Sequence, residues 1–396
     1  MNMLSENMTK MMILGSTGSV GEQAVDVAKM MGVKVDAISA HRNVKRAEEQ
    51  ARFFGVKACA MSDADAANDL KVRLADTDIK VYSGTDGICE MVAEVGSDIP
   101  EEYIVENSIV GEAGLLPTLA TIKSGKRLAL ANKESLVVGG DIVMSAAKES
   151  GKEILPVDSE HCAIFECLRA GKRSEIKSLI LTASGGPFYG RNTDELRDVT
   201  VEKALAHPTW KMGPKITVDS DTLMNTGFEV IEAVHLFGVR PEQVKVVVHR
   251  ESIIHSAVEY IDNSVIAQMS VPDMRHCVQY ALTYPDRMVA ETKPLDLFEV
   301  GKLSFAAPDM ETFVLLKKAY EAIEKGGALP AVLNAANEEA VAAFLDKKIG
   351  FYDIFEIVSD TLDKYSSADK ACELEDILAI AREARITAEE IISRSR

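Results

Sequence analysis

The chain has 396 residues, enough for a large core shared among two or three domains. With 47% hydrophobic and 27% charged residues it reads as a folded globular enzyme and not as a disordered segment. Its formal net charge of −18 argues against nucleic acid or an anionic membrane as partner, since both would be repelled at long range, and an anionic substrate has to be captured by local donors. The cysteines at 59, 89, 162, 167, 277 and 372 form no CxxC pair and no zinc-ligand spacing, which suits reduced thiols in the cytoplasm. Residues 1–12 carry no apolar signal core, and no apolar run is long enough to span a bilayer, so the expectation is a soluble, unprocessed protein.

In chain order, the apolar residues Met11 to Leu14 predict a strand that runs into Gly15-Ser16-Thr17-Gly18-Ser19-Val20-Gly21 and then into a helix from Glu22 to Met31. Strand, glycine turn and helix together form a phosphate cradle, in which backbone N–H groups approach a pyrophosphate at the positive helix end. The spacing is GxxGxxG and not GxGxxG, and an ordinary turn is the alternative. A second strand, Val33 to Ser39, leads to His41-Arg42-Asn43. An NAD enzyme would place an acid there for the ribose hydroxyl, whereas Arg42 suits a 2′-phosphate and favours NADP; a solvated basic loop is the other reading. Strand-like segments at Ala58 to Met61, Lys80 to Tyr82, Tyr103 to Glu106 and Arg127 to Leu130 alternate with helical stretches, the rhythm of a Rossmann-like, doubly wound parallel sheet over residues 1–150. After the last of them, Ala131-Asn132-Lys133-Glu134-Ser135 sets a polar cluster at a carboxyl strand end, where ligands bind in such sheets.

Residues 151–285 are expected to form a central α/β catalytic domain. Ile154, Leu155 and Val157 resemble a buried strand, and in extended backbone Asp158 and Glu160 would project to one side, an arrangement that a hard divalent ion would satisfy; a helix cap is the plainer reading. Leu179 to Leu181 opens into Thr182-Ala183-Ser184-Gly185-Gly186-Pro187, either a backbone nest for phosphate or a plain turn. His207-Pro208-Thr209-Trp210-Lys211-Met212-Gly213-Pro214 holds the only tryptophan in a non-helical segment, a candidate lid over a substrate or a static packing element. A helix is expected from an N-cap cluster at Asp219-Ser220-Asp221 to Gly238, with Asn225 and Glu229 four apart on one face and Glu229 a plausible third metal ligand.

Strands at Val244 to Val248, Ile253 to Ile261 and Val265 to Val271, with a turn at Asp262-Asn263, predict an antiparallel hairpin whose exposed edge suits a homodimer. Residues 286–310 read as a linker. Residues 311–396 carry helical periodicity from near Glu311, Ala331, Tyr352 and Leu374, a C-terminal helical bundle.

The motifs GSTGSVG at 15–21, ANKESLV at 131–137, PVDSEH at 156–161, TASGGPF at 182–188 and HPTWKMG at 207–213, followed by the helix from 219, resemble in this order the 1-deoxy-D-xylulose 5-phosphate reductoisomerase family over nearly the whole chain. The resemblance implies an NADPH-dependent enzyme that uses a divalent ion, Mg2+ or Mn2+, to convert that phosphorylated sugar to 2-C-methyl-D-erythritol 4-phosphate. It implies metal binding by Asp158, Glu160 and Glu229, and catalytic roles for these three with Lys133 and His207. Substrate contacts would come from Lys133, Ser159, Glu160, Ser184, His207, Trp210, Ser220, Asn225 and Glu229. The cofactor would meet Thr17, Gly18, Ser19, Val20, Arg42, Asn43, Asn132, Glu134 and Gly213. Two positions depart from the family: His41 stands where it has glycine and Thr226 where it has lysine, with Lys211 the candidate to supply the missing charge. Thr226 keeps open a metal-dependent NADPH reductase of another phosphorylated keto-sugar. A non-catalytic NADPH-binding module is the further alternative, and it has no need of three acids held together.

Overall fold

The computed structural model describes residues 10–206, 210, 212–365 and 373–394. The chain divides into two compact units: the first takes residues 1–135, 143–159 and 273–292, the second 136–142, 160–272 and 293–396. This division departs from boundaries at 150, 285 and 310. The segment 273–292 rejoins the first unit, and the C-terminal helices belong to the same unit as the central sheet.

The first unit is built on a parallel sheet of β1 (Lys10–Leu14), β2 (Val35–Ala40), β3 (Ala58–Met61), β4 (Lys80–Ser83), β5 (Tyr103–Asn107), β6 (Arg127–Leu130) and β7 (Ile154–Pro156), in spatial order β4-β3-β2-β1-β5-β6-β7. The order reverses between β1 and β5, the topological switch point at which open α/β sheets bind ligands. The crossovers are α1 (Ser19–Met31), α2 (Val44–Phe54), α3 (Ala64–Arg73), α4 (Gly84–Glu94), α5 (Leu115–Lys123) and α6 (Glu134–Ser150), the last with its residues 136–142 in the second unit. Strand alternation places Met12, Leu14, Tyr103 and Val105 in one core with Ile88, Met91 and Val92 of α4. Helix α6 bends at Gly139, whose φ of −129° is not helical.

The second unit contains α7 (Ser159–Cys167), apart from its first residue, then β8 (Ile176–Ala183), α8 (Thr193–Arg197), α9 (Val201–Ala204), α10 (Pro214–Asp221), α11 (Met224–Phe237), β9 (Val244–Val248), β10 (Ile254–Tyr260) and β11 (Val265–Met269). Its sheet runs β11-β10-β8-β9, with β8 parallel to β9 and the other pairs antiparallel. The expected single helix from 219 to 238 is in fact two. Pro214 starts α10, so Asp219 to Asp221 end that helix instead of capping the next, and Leu223, at φ 60°, turns the chain before α11.

Helix α12 (Arg275–Thr283) returns to the first unit and packs on α1, β6 and β7. Four longer helices follow the short α13 (Leu297–Val300): α14 (Val314–Lys325), α15 (Leu329–Leu345), α16 (Asp353–Lys364) and α17 (Leu374–Arg394). Their starts agree with the periodicity of the sequence, and α15 packs on α14, α16 and α17.

Candidate functional site

The polar residues of the first unit gather at the carboxyl ends of its strands. After β1 the chain turns at Gly15, with φ +83° and so little room that a Cβ would stand 2.7 Å from Ser108 O; a Cβ on Gly21 would stand 2.1 Å from Gly15 O. Only glycine fits either place. Gly18 caps α1 without any side-chain bond to the first turn, so the N–H groups of that turn are presented at the positive end of the helix. Side chains around the turn brace it. Ser16 Oγ donates to Gln50 Oε1 at 2.6 Å, Gln50 Nε2 donates to Ser16 O at 3.0 Å, and Arg46 grips Glu22 with bonds of 2.7 and 2.6 Å.

Past β2, Arg42 lies at the surface with Nε donating to Asp63 at 2.7 Å, and Asn43 caps α2 by accepting from Arg46 N at 3.3 Å. His41 Nδ1 is 2.8 Å from Ser62 Oγ. Past β6, the Asn132 amide donates to Ile109 O at 2.6 Å and Gly111 O at 2.9 Å and lies 3.1 Å from Glu134, while its carbonyl accepts from Ser135 N at 2.9 Å. That side chain therefore shapes the loop after β5.

Leu130 and Pro156 are paired in register, so Lys133 and Asp158 follow adjacent strand ends. Lys133 Nζ meets Asp158 Oδ2 at 2.8 Å with both side chains less than a tenth exposed. Breaking a pair so buried costs about 3–5 kcal/mol, because the survivor keeps an uncompensated charge.

In the second unit, Glu160 sits in the first turn of α7 and not in an extended strand with Asp158, because β7 stops at Pro156. The carboxylates of Glu160 and Glu229 offer oxygens within 4.8 Å of each other, and Glu229 is 2% exposed. Two acids this close repel unless a cation stands between them, so the pair fits a hard divalent ion. Asn225 Nδ2 donates to Glu229 one turn away, as their spacing predicted. Sequence reading gave no role to His161 and Glu232, both fully buried. His161 Nε2–H donates to Glu229 O at 2.9 Å and its Nδ1 lies 3.4 Å from Glu232, which fastens α7 to α11 beside the acids.

The loop after β8 has Gly185 and Gly186 at φ +76° and +64°, with Gly186 N donating to Ser184 Oγ at 3.3 Å. A Cβ on Gly186 would be 3.3 Å from Ser220 O, so this loop rests on the end of α10 and brings Ser184 near Ser220. There Asp219 is satisfied by Lys215 at 2.9 Å and Asn337 at 2.8 Å, whereas both oxygens of the fully buried Asp221 are without a hydrogen-bond partner among the described residues. Burial, then Asp219, push the Asp221 carboxyl up to about 9. Thr226 is buried within α11. Trp210 packs 6.1 Å from the ring of His255, and Gly213 caps α10. His207 and Lys211 lie outside the described residues.

Family models described as 1-deoxy-D-xylulose 5-phosphate reductoisomerase and its C-terminal domains match residues 11–140, 154–237 and 269–387. A reductoisomerase of that name from Acetivibrio thermocellus is 49% identical over 380 residues, covering 96% of this chain and 98% of the relative. The chain belongs to the 1-deoxy-D-xylulose 5-phosphate reductoisomerase family. Another reductoisomerase, from Caldanaerobacter subterraneus, is 49% identical over 381 residues, 96% of this chain and 98% of its own. Among solved structures, the Zymomonas mobilis reductoisomerase in complex with NADPH superposes with a TM-score of 0.88 at 43% identity, over 97% of this chain and 99% of that one. A reductoisomerase in complex with NADPH, fosmidomycin and magnesium gives 0.91 at 37% identity, over 98% of each chain.

Proposed function

We propose that the protein converts 1-deoxy-D-xylulose 5-phosphate to 2-C-methyl-D-erythritol 4-phosphate with NADPH and Mg2+ or Mn2+, a step of non-mevalonate isoprenoid biosynthesis. The observation that carries this reading is the close pair Glu160 and Glu229 in a chain of this family. Asp158 would complete the metal-binding set, since the chain keeps its Cα within about 7 Å of that of Glu160. When bound, the ion supplies Lewis acidity at the substrate ketone and adjacent hydroxyl, and NADPH supplies hydride to the rearranged aldehyde.

The residues of the chain bind, orient and shield. The N–H groups at Thr17 to Val20 would take the pyrophosphate, and Arg42, whose Nε is already held by Asp63, would turn its remaining donors to the 2′-phosphate. The Lys133 ammonium, oriented by Asp158, is a donor for a substrate oxygen. Ser184, Ser220, Asn225 and the N–H groups of Gly185 and Gly186 suit a phosphate, with His207 and Trp210 closing over the substrate and excluding water. The edge strand β11 exposes Val265 and Ile266, which supports a homodimer. Among the described residues no helix is long and apolar enough to cross a membrane, in keeping with a cytoplasmic enzyme.

The deciding experiment follows NADPH oxidation with 1-deoxy-D-xylulose 5-phosphate, with and without Mg2+ or Mn2+. Oxidation that requires both sugar and ion is expected, and its absence under every combination overturns the reading.

A further inference from the structure

Glu106 on β5 is completely buried, and its Oε1 meets no hydrogen-bond partner among the described residues. Its Oε2 lies 3.2 Å from Ser108 Oγ, which also lies 2.9 Å from the main-chain oxygen of Leu14. A serine hydroxyl has one hydrogen and cannot give it to both a carboxylate and a carbonyl. The bonds close when Glu106 keeps its proton: Glu106 Oε2–H donates to Ser108 Oγ, and Ser108 Oγ–H donates to Leu14 O. Burial acts in the same direction and pushes the carboxyl up to about 8, opposed only by the Ser108 hydroxyl.

Among the described residues no opposite charge compensates. The registered neighbours Ile13 and Ala129 are apolar. On the same strands, Lys10 holds Glu102 at 2.7 Å, and Arg127 reaches the carbonyls of Ala281 and Tyr284 at 3.4 and 3.3 Å. The charged residues of α1 are Glu22, bound to Arg46, with Asp26 and Lys29; those of α12 are Arg275, bound to Asp273, and His276. None of them acts on Glu106.

Ser108 touches the dinucleotide turn directly. Its N–H donates to Leu14 O at 2.9 Å, and its carbonyl fills the space that a Cβ on Gly15 would need. We propose that Glu106 is a protonated positioning residue whose hydrogen-bond relay through Ser108 holds Leu14 and Gly15 in the NADPH-binding turn, and that loss of its proton weakens NADPH binding. This rests on the reading of that turn as the NADPH site. Once ionised, Glu106 draws the Ser108 proton away from Leu14 and places a buried negative charge behind a cradle for an anion.

The test is the NADPH dissociation constant of the full chain, measured by fluorescence titration at fixed ionic strength. From about pH 7 to about pH 9 it should rise about tenfold, as expected for one proton lost near 8. In Glu106→Gln, where the amide donates to Ser108 without ionising, the rise should stay within about twofold. At about pH 7 the protonated-carboxyl infrared band, to which Asp221 also contributes, should be weaker in Glu106→Gln than in the native protein, and an undiminished band in Glu106→Gln overturns the inference. A native constant that is flat over the interval, or an equal rise in Glu106→Gln, overturns the inference. Should Glu106→Gln not fold, the native titration decides, and a native spectrum at about pH 7 with no protonated-carboxyl band overturns the inference equally. Failure to bind NADPH at every pH would instead count against the functional reading.

Discussion

Around residues 15–21 the first unit offers neutral backbone N–H groups, and the side chains that brace them, Ser16, Gln50, Glu22 and Arg46, are bonded to one another or to the turn. The second unit gathers carboxyls instead: Glu160 beside Glu229, Glu232 one turn further along α11, and Asp221 at the end of α10, without a hydrogen-bond partner among the described residues. A backbone cradle needs no countercharge to be stable when empty. Crowded acids are different, because burial and mutual repulsion both disfavour them until a cation or a proton arrives. The first site is therefore set by steric fit and the second by charge, and substitutions should separate the two.

The largest effect should come from the charge-built site. Glu229→Gln is expected to lower turnover by at least ~10²-fold, the scale for losing an electrostatic stabiliser, while NADPH binding measured by fluorescence stays unchanged. Activity that persists in the presence of a chelator would break the contrast. Gly21→Ala probes the steric site: its Cβ would meet Gly15 O at 2.1 Å, and overpacking of this kind destabilises by roughly 1–3 kcal/mol. A lowered melting temperature and weakened NADPH binding are expected, with Mn2+ affinity retained in a paramagnetic-resonance titration. Arg42→Ala should reduce the preference for NADPH over NADH by about tenfold in kcat/KM, as loss of a charge-assisted bond contributes about 1.5–3 kcal/mol. An unchanged ratio would remove Arg42 from the 2′-phosphate.

A separate effect, on stability alone, concerns Asp221. Its carboxyl titrates at about 9 in the folded chain against an ordinary value of 3.8, so the folded state holds the extra proton between these limits and stability falls as pH rises through that window. Asp221→Asn should therefore lose less melting temperature than the native protein between about pH 5 and about pH 8. Parallel losses in calorimetry would show that Asp221 already has a partner.

The doubly wound sheet was legible because each strand is apolar and followed by a helical period, and the glycine turn because its spacing is local. The break at Leu223 was not legible: Thr222-Leu223-Met224 contains neither glycine nor proline, and α10 and α11 pack on each other across the left-handed residue. Glu106 reads in sequence as the polar end of a strand, since alternation says which way a side chain points and not whether a helix covers it. Asp219 to Asp221 read in sequence as a cap because the break at Leu223 hides the end of α10. Most residues of the metal and substrate set came from resemblance, while Asn225 with Glu229 followed from helical spacing alone.

The return of α12 to the first unit has a consequence for biosynthesis. This helix packs on α1, β6 and β7 and buries Cys277, Val278, Tyr280 and Leu282, yet it is translated after the strands of the other unit. A nascent chain that has just completed β7 still lacks this cover, so part of its parallel sheet waits, apolar and unshielded, until β8 to β11 have left the ribosome. The two units must then mature together, and a chaperone that binds apolar surface has its longest opportunity on the amino-terminal sheet and not on the last helices to emerge.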